Sequence, residues 1–112
     1  PKRAAGHRRV ALDEGFRLSH AQFAELAELA RARGLLFIST PLDLDSARFL
    51  IETADALKVA SGDNDFYPLL DVLARSHRPL IVSTGLTDLA QLQRTTSFVE
   101  QARGDATAVA LV

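Results

Sequence analysis

The stretch Gly34-Leu35-Leu36-Phe37-Ile38-Ser39-Thr40-Pro41 decides the fold. Leu35 to Ser39 run without polar alternation, which is how a strand covered on both faces reads, and Gly34 and Pro41 punctuate its two ends. Upstream, Ser19-His20-Ala21-Gln22 is a capping-box signature in which Ser19 caps and Gln22 reaches back. Phe23, Leu26, Ala27 and Ala30 recur at helical spacing behind it, with Glu25, Glu28, Arg31 and Arg33 placed for the wet side. The spacing predicts an amphipathic helix that stops at Gly34 in a left-handed turn.

Downstream the same unit repeats. Apolar runs at Ala56 to Ala60, Leu80 to Thr84 and Ala106 to Val112 follow polar stretches of helical character, so candidate strands begin near 35, 56, 80 and 106. Helices are expected at about 45 to 54, 66 to 76 and 87 to 103. The second of them carries Phe66, Leu69, Leu70 and Leu73 on its inner face and tolerates Pro68 in its first turn. A repeat of this length suits βα units, whose parallel strands need a crossover of a dozen or more residues. The fold class is α/β with parallel βα repeats, compatible with an open doubly wound sheet or with part of an eight-stranded barrel. Four strands in 112 residues are about half of the ~250 residues of a closed barrel, and a partial (β/α)8 TIM barrel is the sharper expectation. Residues 16–112 are read as that part-barrel, and residues 1–15 as an irregular or mobile N-terminal segment.

Composition narrows the function. Thirteen Lys and Arg against fourteen Asp and Glu leave a net charge of -1, which supplies no field for nucleic acid or an anionic membrane. Zero cysteines exclude a disulfide scaffold, a thiolate nucleophile and Cys-ligated zinc, and fit a cytoplasmic protein. No apolar run approaches the ~20 residues of a membrane helix, and the basic opening lacks the apolar core of a signal peptide. The absence of an initiator Met and the abrupt ends suggest a piece of a longer gene product.

In parallel α/β folds ligands bind beyond the carboxyl ends of the strands, and here those positions are polar. Ser39-Thr40-Pro41 follows the first run. Lys58 sits within the second, which leads into Ser61-Gly62-Asp63-Asn64. Ser83-Thr84-Gly85 ends the third. Lys58 stands in an otherwise apolar strand, where an unpaired ammonium is costly to bury and an anion is a natural partner. It can equally be a snorkelling lysine on an edge strand or the partner of Asp43 or Asp63. Ser83-Thr84-Gly85 before a helix offers backbone N–H groups to a phosphate, or is an ordinary turn with Thr87 as N-cap. Thr40 and Asp63 have equally ordinary readings as loop and turn residues. His7, His20 and His77 are scattered without ligand-like spacing and read as solvated.

Taken together, Phe37-Ile38-Ser39-Thr40-Pro41-Leu42-Asp43, Leu57-Lys58-Val59-Ala60-Ser61-Gly62-Asp63 and Pro79-Leu80-Ile81-Val82-Ser83-Thr84-Gly85-Leu86 resemble, in order and spacing, the N-acetylneuraminate (sialic acid) synthase family. The likeness runs from about Phe16 to Val112. It implies part of a TIM-barrel synthase that condenses phosphoenolpyruvate with an N-acyl-mannosamine-type amino sugar, releasing phosphate and forming a nine-carbon 2-keto sugar acid. On that resemblance Thr40, Lys58, Ser61 and Ser83 hold phosphoenolpyruvate and Asp63 contacts the sugar. The family often has glutamate at the position of Asp63, so the acceptor sugar stays open. A divalent metal, manganese or magnesium, is implied for the intact parent, with its histidine ligands on later strands outside this chain. The segment by itself is then not expected to turn over, and the parent is a candidate homo-oligomer. Two alternatives stand beside this reading: a noncatalytic anion-binding or self-associating module, and another phosphoenolpyruvate aldol synthase with a different sugar acceptor.

Overall fold

The computed structural model describes residues 18–104 and 109–112; the segment expected to be irregular at 1–15 lies outside them. Helix α1 (His20–Ala32) begins on the expected capping box: the Gln22 N–H donates to Ser19 Oγ at 3.1 Å and the Ser19 N–H to Gln22 Oε1 at 2.8 Å. It ends with Gly34 at φ 72°, where the Leu35 N–H reaches the Ala30 carbonyl and the Gly34 N–H that of Arg31. This is the paired bonding that a left-handed residue permits, and glycine adopts that conformation at no steric cost.

Beyond α1 come β1 (Ile38–Ser39), α2 (Leu44–Thr53), β2 (Ala56–Val59), a single 3-10 turn (Ser61–Asp63), α3 (Tyr67–Arg75), β3 (Leu80–Val82), α4 (Leu89–Arg103) and β4 (Val109–Leu111). All four strands are parallel, in the order β1-β2-β3-β4. Strictly sequential order with right-handed crossovers stacks every helix on one face of the sheet, whereas a doubly wound sheet must reverse its order to use both. This settles the choice left open above in favour of a part-barrel.

Burial follows the same logic. Leu57, Val59, Leu80 and Val82 point to the helices and are buried, packed with Leu69, Leu70 and Leu73 of α3 and Val99 of α4. Removing a Leu or Val side chain of this kind from water contributes about 1.5–3 kcal/mol. Pro68 stands in the first turn of α3 as expected.

Several apolar residues differ from the expectation. Leu35 and Leu36 are exposed, because the ladder of β1 begins only at Ile38 and the strand is an edge with no neighbour on its far side among the described residues. The first run is therefore not covered on both faces. Leu26 is exposed rather than inward, since α1 packs at the margin against α2 and that flank meets nothing described. Phe66 is the N-cap of α3, not part of its buried stripe, and is exposed.

At the amino ends of the strands, arginines satisfy the open carbonyls of the helix C-termini. Arg31 Nη2 donates to the Thr53 carbonyl at 2.8 Å, Arg78 Nε to that of Ile51 at 2.9 Å, and Arg103 Nε to that of Ala74 at 3.2 Å. Each places a cation at the negative end of a helix dipole. Arg103 is itself buried. It also donates to the Arg78 carbonyl, so replacing it with methionine would remove that bond and the one to Ala74, and Arg103→Met is expected to lower stability by about 2–4 kcal/mol in urea unfolding of the natural gene product. A loss below about 0.5 kcal/mol would contradict this structural role.

Candidate functional site

Strand alternation sorts the polar residues. With Leu57 and Val59 committed to the helices, Lys58 must project from the opposite face, and it is exposed there. Lys58 pairs in register with Ile81, and the Ser83 N–H extends that ladder to the Val59 carbonyl at 3.0 Å, placing Ser83 on the same face two residues further on. Ile38 pairs with Ala56 and so shares the face of Lys58, and Thr40 follows just past Ser39, the last paired residue of β1, at the carboxyl end of that strand. The three motifs thus come to the carboxyl end of the sheet, Lys58 and Ser83 on its inner face, with neighbouring strands about 4.8 Å apart.

Ser61 joins them through a direct contact. A Cβ built on Gly85 would stand 3.1 Å from Ser61 Oγ, so the loops after β2 and β3 touch there and only glycine leaves the serine its place. Asp63 is half-buried in the 3-10 turn, closed by the Asp63 N–H to the Ala60 carbonyl and the Phe66 N–H to the Asp63 carbonyl.

None of the five side chains, Thr40, Lys58, Ser61, Asp63 or Ser83, makes a hydrogen bond or ion pair with the described residues, whereas Thr53, Ser76, Thr84, Thr95 and Thr96 all donate to backbone carbonyls. Their bonding capacity is unspent. The pairing of Lys58 with Asp43 or Asp63 weighed from sequence is not formed.

Three further expectations are corrected. Lys58 is not a desolvated ammonium within these residues, because the inner face carries no covering layer among them. Ser83 and Thr84 do not offer their N–H groups to a phosphate: one donates to Val59 and the other to the Val112 carbonyl at 2.8 Å, in the manner of a sheet ladder. The N-cap of α4 is Asp88, not Thr87, with Oδ1 accepting from the Gln91 N–H at 2.7 Å. His20, read as solvated, is exposed but stacks on Phe49 at a ring separation of 4.0 Å; His77 is exposed, and His7 lies outside the described residues.

The cavities described lie away from Lys58. One of about 450 Å³ between α1, β1 and α2 includes Thr40, with His20, Phe23, Ser46 and Phe49 in its wall; another of about 530 Å³ lies on the outer side of α3 and α4 near Tyr67 and Phe98. Neither reaches Lys58. Among the described residues no three of His, Cys, Asp and Glu converge to hold a metal ion. No helix among them is long and apolar enough to cross a membrane.

Asn64 is the residue that sequence reasoning passed over. It is buried, and its amide bridges to the carbonyls of Ser83 and Gly85, both at 3.2 Å. In the sequence it reads as one more turn former beside Gly62 and Asp63, and nothing local marks bonds spanning nineteen and twenty-one residues.

Comparison with known proteins fits this geometry. A family model described as the NeuB family matches residues 2–111. The chain belongs to the NeuB family. The uncharacterized protein MJ1065 of Methanocaldococcus jannaschii is 41% identical over 90 residues, covering 80% of this chain and 27% of that protein. An N,N'-diacetyllegionaminic acid synthase of Legionella pneumophila is 39% identical over 77 residues, covering 68% of this chain and 22% of that one. Among solved structures, an N-acetylneuraminic acid (sialic acid) synthetase of Leptospira borgpetersenii, in complex with citrate, superposes with a TM-score of 0.76 at 25% identity, over 84% of this chain and 32% of that one. This NeuB-family chain therefore spans about a quarter of the length of the curated relatives it matches, and its architecture is part of a (β/α)8 barrel.

The contact at Gly85 gives a specific expectation. In a crystal structure of the Gly85→Ala variant, Ser61 Oγ should turn away from the added methyl group while stability changes by less than about 1 kcal/mol. A Ser61 side chain that keeps its place would show that the two loops do not constrain each other.

Proposed function

We propose that this NeuB-family chain is the phosphoenolpyruvate-binding part of a sugar-acid synthase, an enzyme that joins phosphoenolpyruvate to an N-acyl-mannosamine-type sugar with release of phosphate. The observation that supports the reading is that Thr40, Lys58, Ser61 and Ser83, four donors carried by three neighbouring strand ends, have no partner among the described residues. Phosphoenolpyruvate is small and doubly anionic, with a carboxylate and a phosphate to be neutralised. An ammonium with convergent hydroxyls supplies charge-assisted hydrogen bonds of the strong kind, at positions fixed before the reaction starts.

In this reading Lys58 anchors the anion, and the hydroxyls of Thr40, Ser61 and Ser83 orient it so that the enol carbon faces the sugar aldehyde. A carbon–carbon bond forms between them, the aldehyde oxygen takes a proton, water adds at the former enol C2, and the C2–O bond to phosphate breaks to leave the 2-keto acid. Asp63, half-buried at the rim, accepts hydrogen bonds from sugar hydroxyls. The divalent cation implied by the resemblance, manganese or magnesium, would draw its ligands from outside the described residues. A cytoplasmic setting goes with the cysteine-free sequence.

The self-associating alternative draws on Leu35, Leu36 and Ile38 at one margin of the sheet and Leu111 and Val112 at the other, all exposed. Relatives about three times as long supply a simpler cover, namely the remaining strands of a barrel, which would also enclose Lys58.

Calorimetric titration of the natural gene product with phosphoenolpyruvate tests the reading. Lys58→Ala is expected to weaken binding at least ~30-fold, about 2 kcal/mol, and Asp63→Ala to change it less than threefold while raising the KM for the amino sugar. Equal effects of the two substitutions, or no phosphate release with manganese across a panel of N-acyl hexosamines, would contradict it.

A further inference from the structure

We propose that Asn64 is a positioning residue that locks the loop carrying Ser83 against the turn carrying Ser61, and so sets the spacing of the two hydroxyls that grip the anion. The inference rests on the phosphoenolpyruvate reading above and adds to it a residue that touches neither substrate. Asn64 lies three positions beyond Ser61, at the end of the 3-10 turn Ser61–Asp63, so a rigid turn connects the two. Its side chain leaves that turn and donates to the carbonyls of Ser83 and Gly85, one on each side of Thr84. Both partners can only accept, so the amide nitrogen, with two hydrogens to give, must be the atom facing them.

The clamp is itself anchored. The Asn64 carbonyl accepts from Thr95 Oγ1 at 2.6 Å in the buried interior of α4, and Thr95 Oγ1 accepts from Gln91 Nε2, which also donates to the Tyr67 hydroxyl. Two strand-end loops and the helices that follow them are thereby tied through one buried side chain.

Two features show what the tie holds in place. The two loops approach so closely that a Cβ on Gly85 would stand 3.1 Å from Ser61 Oγ, so the place of the second loop sets the room left to the serine. Leu86, the next residue, sits at φ 58° with its side chain almost wholly in solvent. A leucine in that left-handed conformation is strained and persists only when its surroundings over-determine it. The Asn64 bond to the Gly85 carbonyl fixes the peptide unit that leads into it.

The test is calorimetric titration of the natural gene product with phosphoenolpyruvate. Asn64→Ala and Asn64→Asp should each raise the Kd at least tenfold with an unchanged number of sites and a KM for the amino sugar within twofold. Aspartate should do no better than alanine, because it has no donor for the two carbonyls. A side chain needed only for stability would instead lower the number of sites at constant Kd, and that result overturns the proposal. Should the Asn64 variants fail to fold, Thr95→Val should still raise the Kd at least threefold and Thr95→Ser should leave it within twofold. Equal Kd values for those two also overturn the proposal. If the unsubstituted protein binds no phosphoenolpyruvate, the reading of the site falls and this inference with it; normal binding that the substitutions leave untouched removes the clamp alone.

Discussion

The two-residue period of β2 is the constraint from which the rest follows. Leu57 and Val59 are wholly buried against the helix layer. Slipping the strand by one residue would drive Lys58 into that layer and put two large aliphatic side chains on the open face. Packing on one side therefore decides chemistry on the other. Parallel register carries the decision to the neighbours: Ile38 and Ile81 take the face of Lys58, and Ser83 inherits it. Lys58 and Ser83 share the open face because four aliphatic residues, Leu57, Val59, Leu80 and Val82, have no freedom to turn over.

The two ends of the sheet divide the labour. At the amino ends, Arg31, Arg78 and Arg103 donate to helix-terminal carbonyls, and their charge is consumed in holding α2 and α3 in place. At the carboxyl ends, the side chains of Thr40, Lys58, Ser61 and Ser83 have no partner among the described residues, while Asn64, Thr84 and Thr95 are engaged in tying the loops together. Barrel folds separate stability from chemistry in this way, since loops beyond the strand ends can vary without disturbing the packed layers. The acidic and basic residues, nearly balanced in number, are therefore not interchangeable: position on the barrel fixes what each can do.

Much of this was legible because it is local or periodic. The Ser19–Gln22 box, the stop at Gly34 and the buried stripe Leu69, Leu70 and Leu73 each depend on spacings within one helix turn or two, and those spacings are written in the chain. The sequential βα repeat revealed the parallel sheet, and the three motifs in register revealed the family. What could not be read is non-local. Leu26 has the spacing of a core residue, yet the margin of the sheet gives it nothing to pack on. Asp88 rather than Thr87 caps α4 because the helix begins only at Leu89, after the Ser83 and Thr84 N–H groups have been spent on the sheet ladder. Asn64 resembles any turn asparagine until its partners across two loops are seen, and Arg103 any helix-terminal arginine until its burial is seen. The exposure of Lys58 belongs with these: an apolar strand suggests a buried amine, but a strand covered on one face only leaves it open.

The central claim is that one ammonium and three hydroxyls form a single anion site at the carboxyl end of this sheet. A crystal structure of the natural gene product soaked with phosphoenolpyruvate tests it most directly. The account predicts the bound anion on the inner face, with Lys58 Nζ and the hydroxyls of Thr40, Ser61 and Ser83 all within hydrogen-bond distance of its carboxylate or phosphate oxygens. Ligand density away from Lys58, or a Lys58 side chain turned from the three hydroxyls when the ligand is bound, would contradict it.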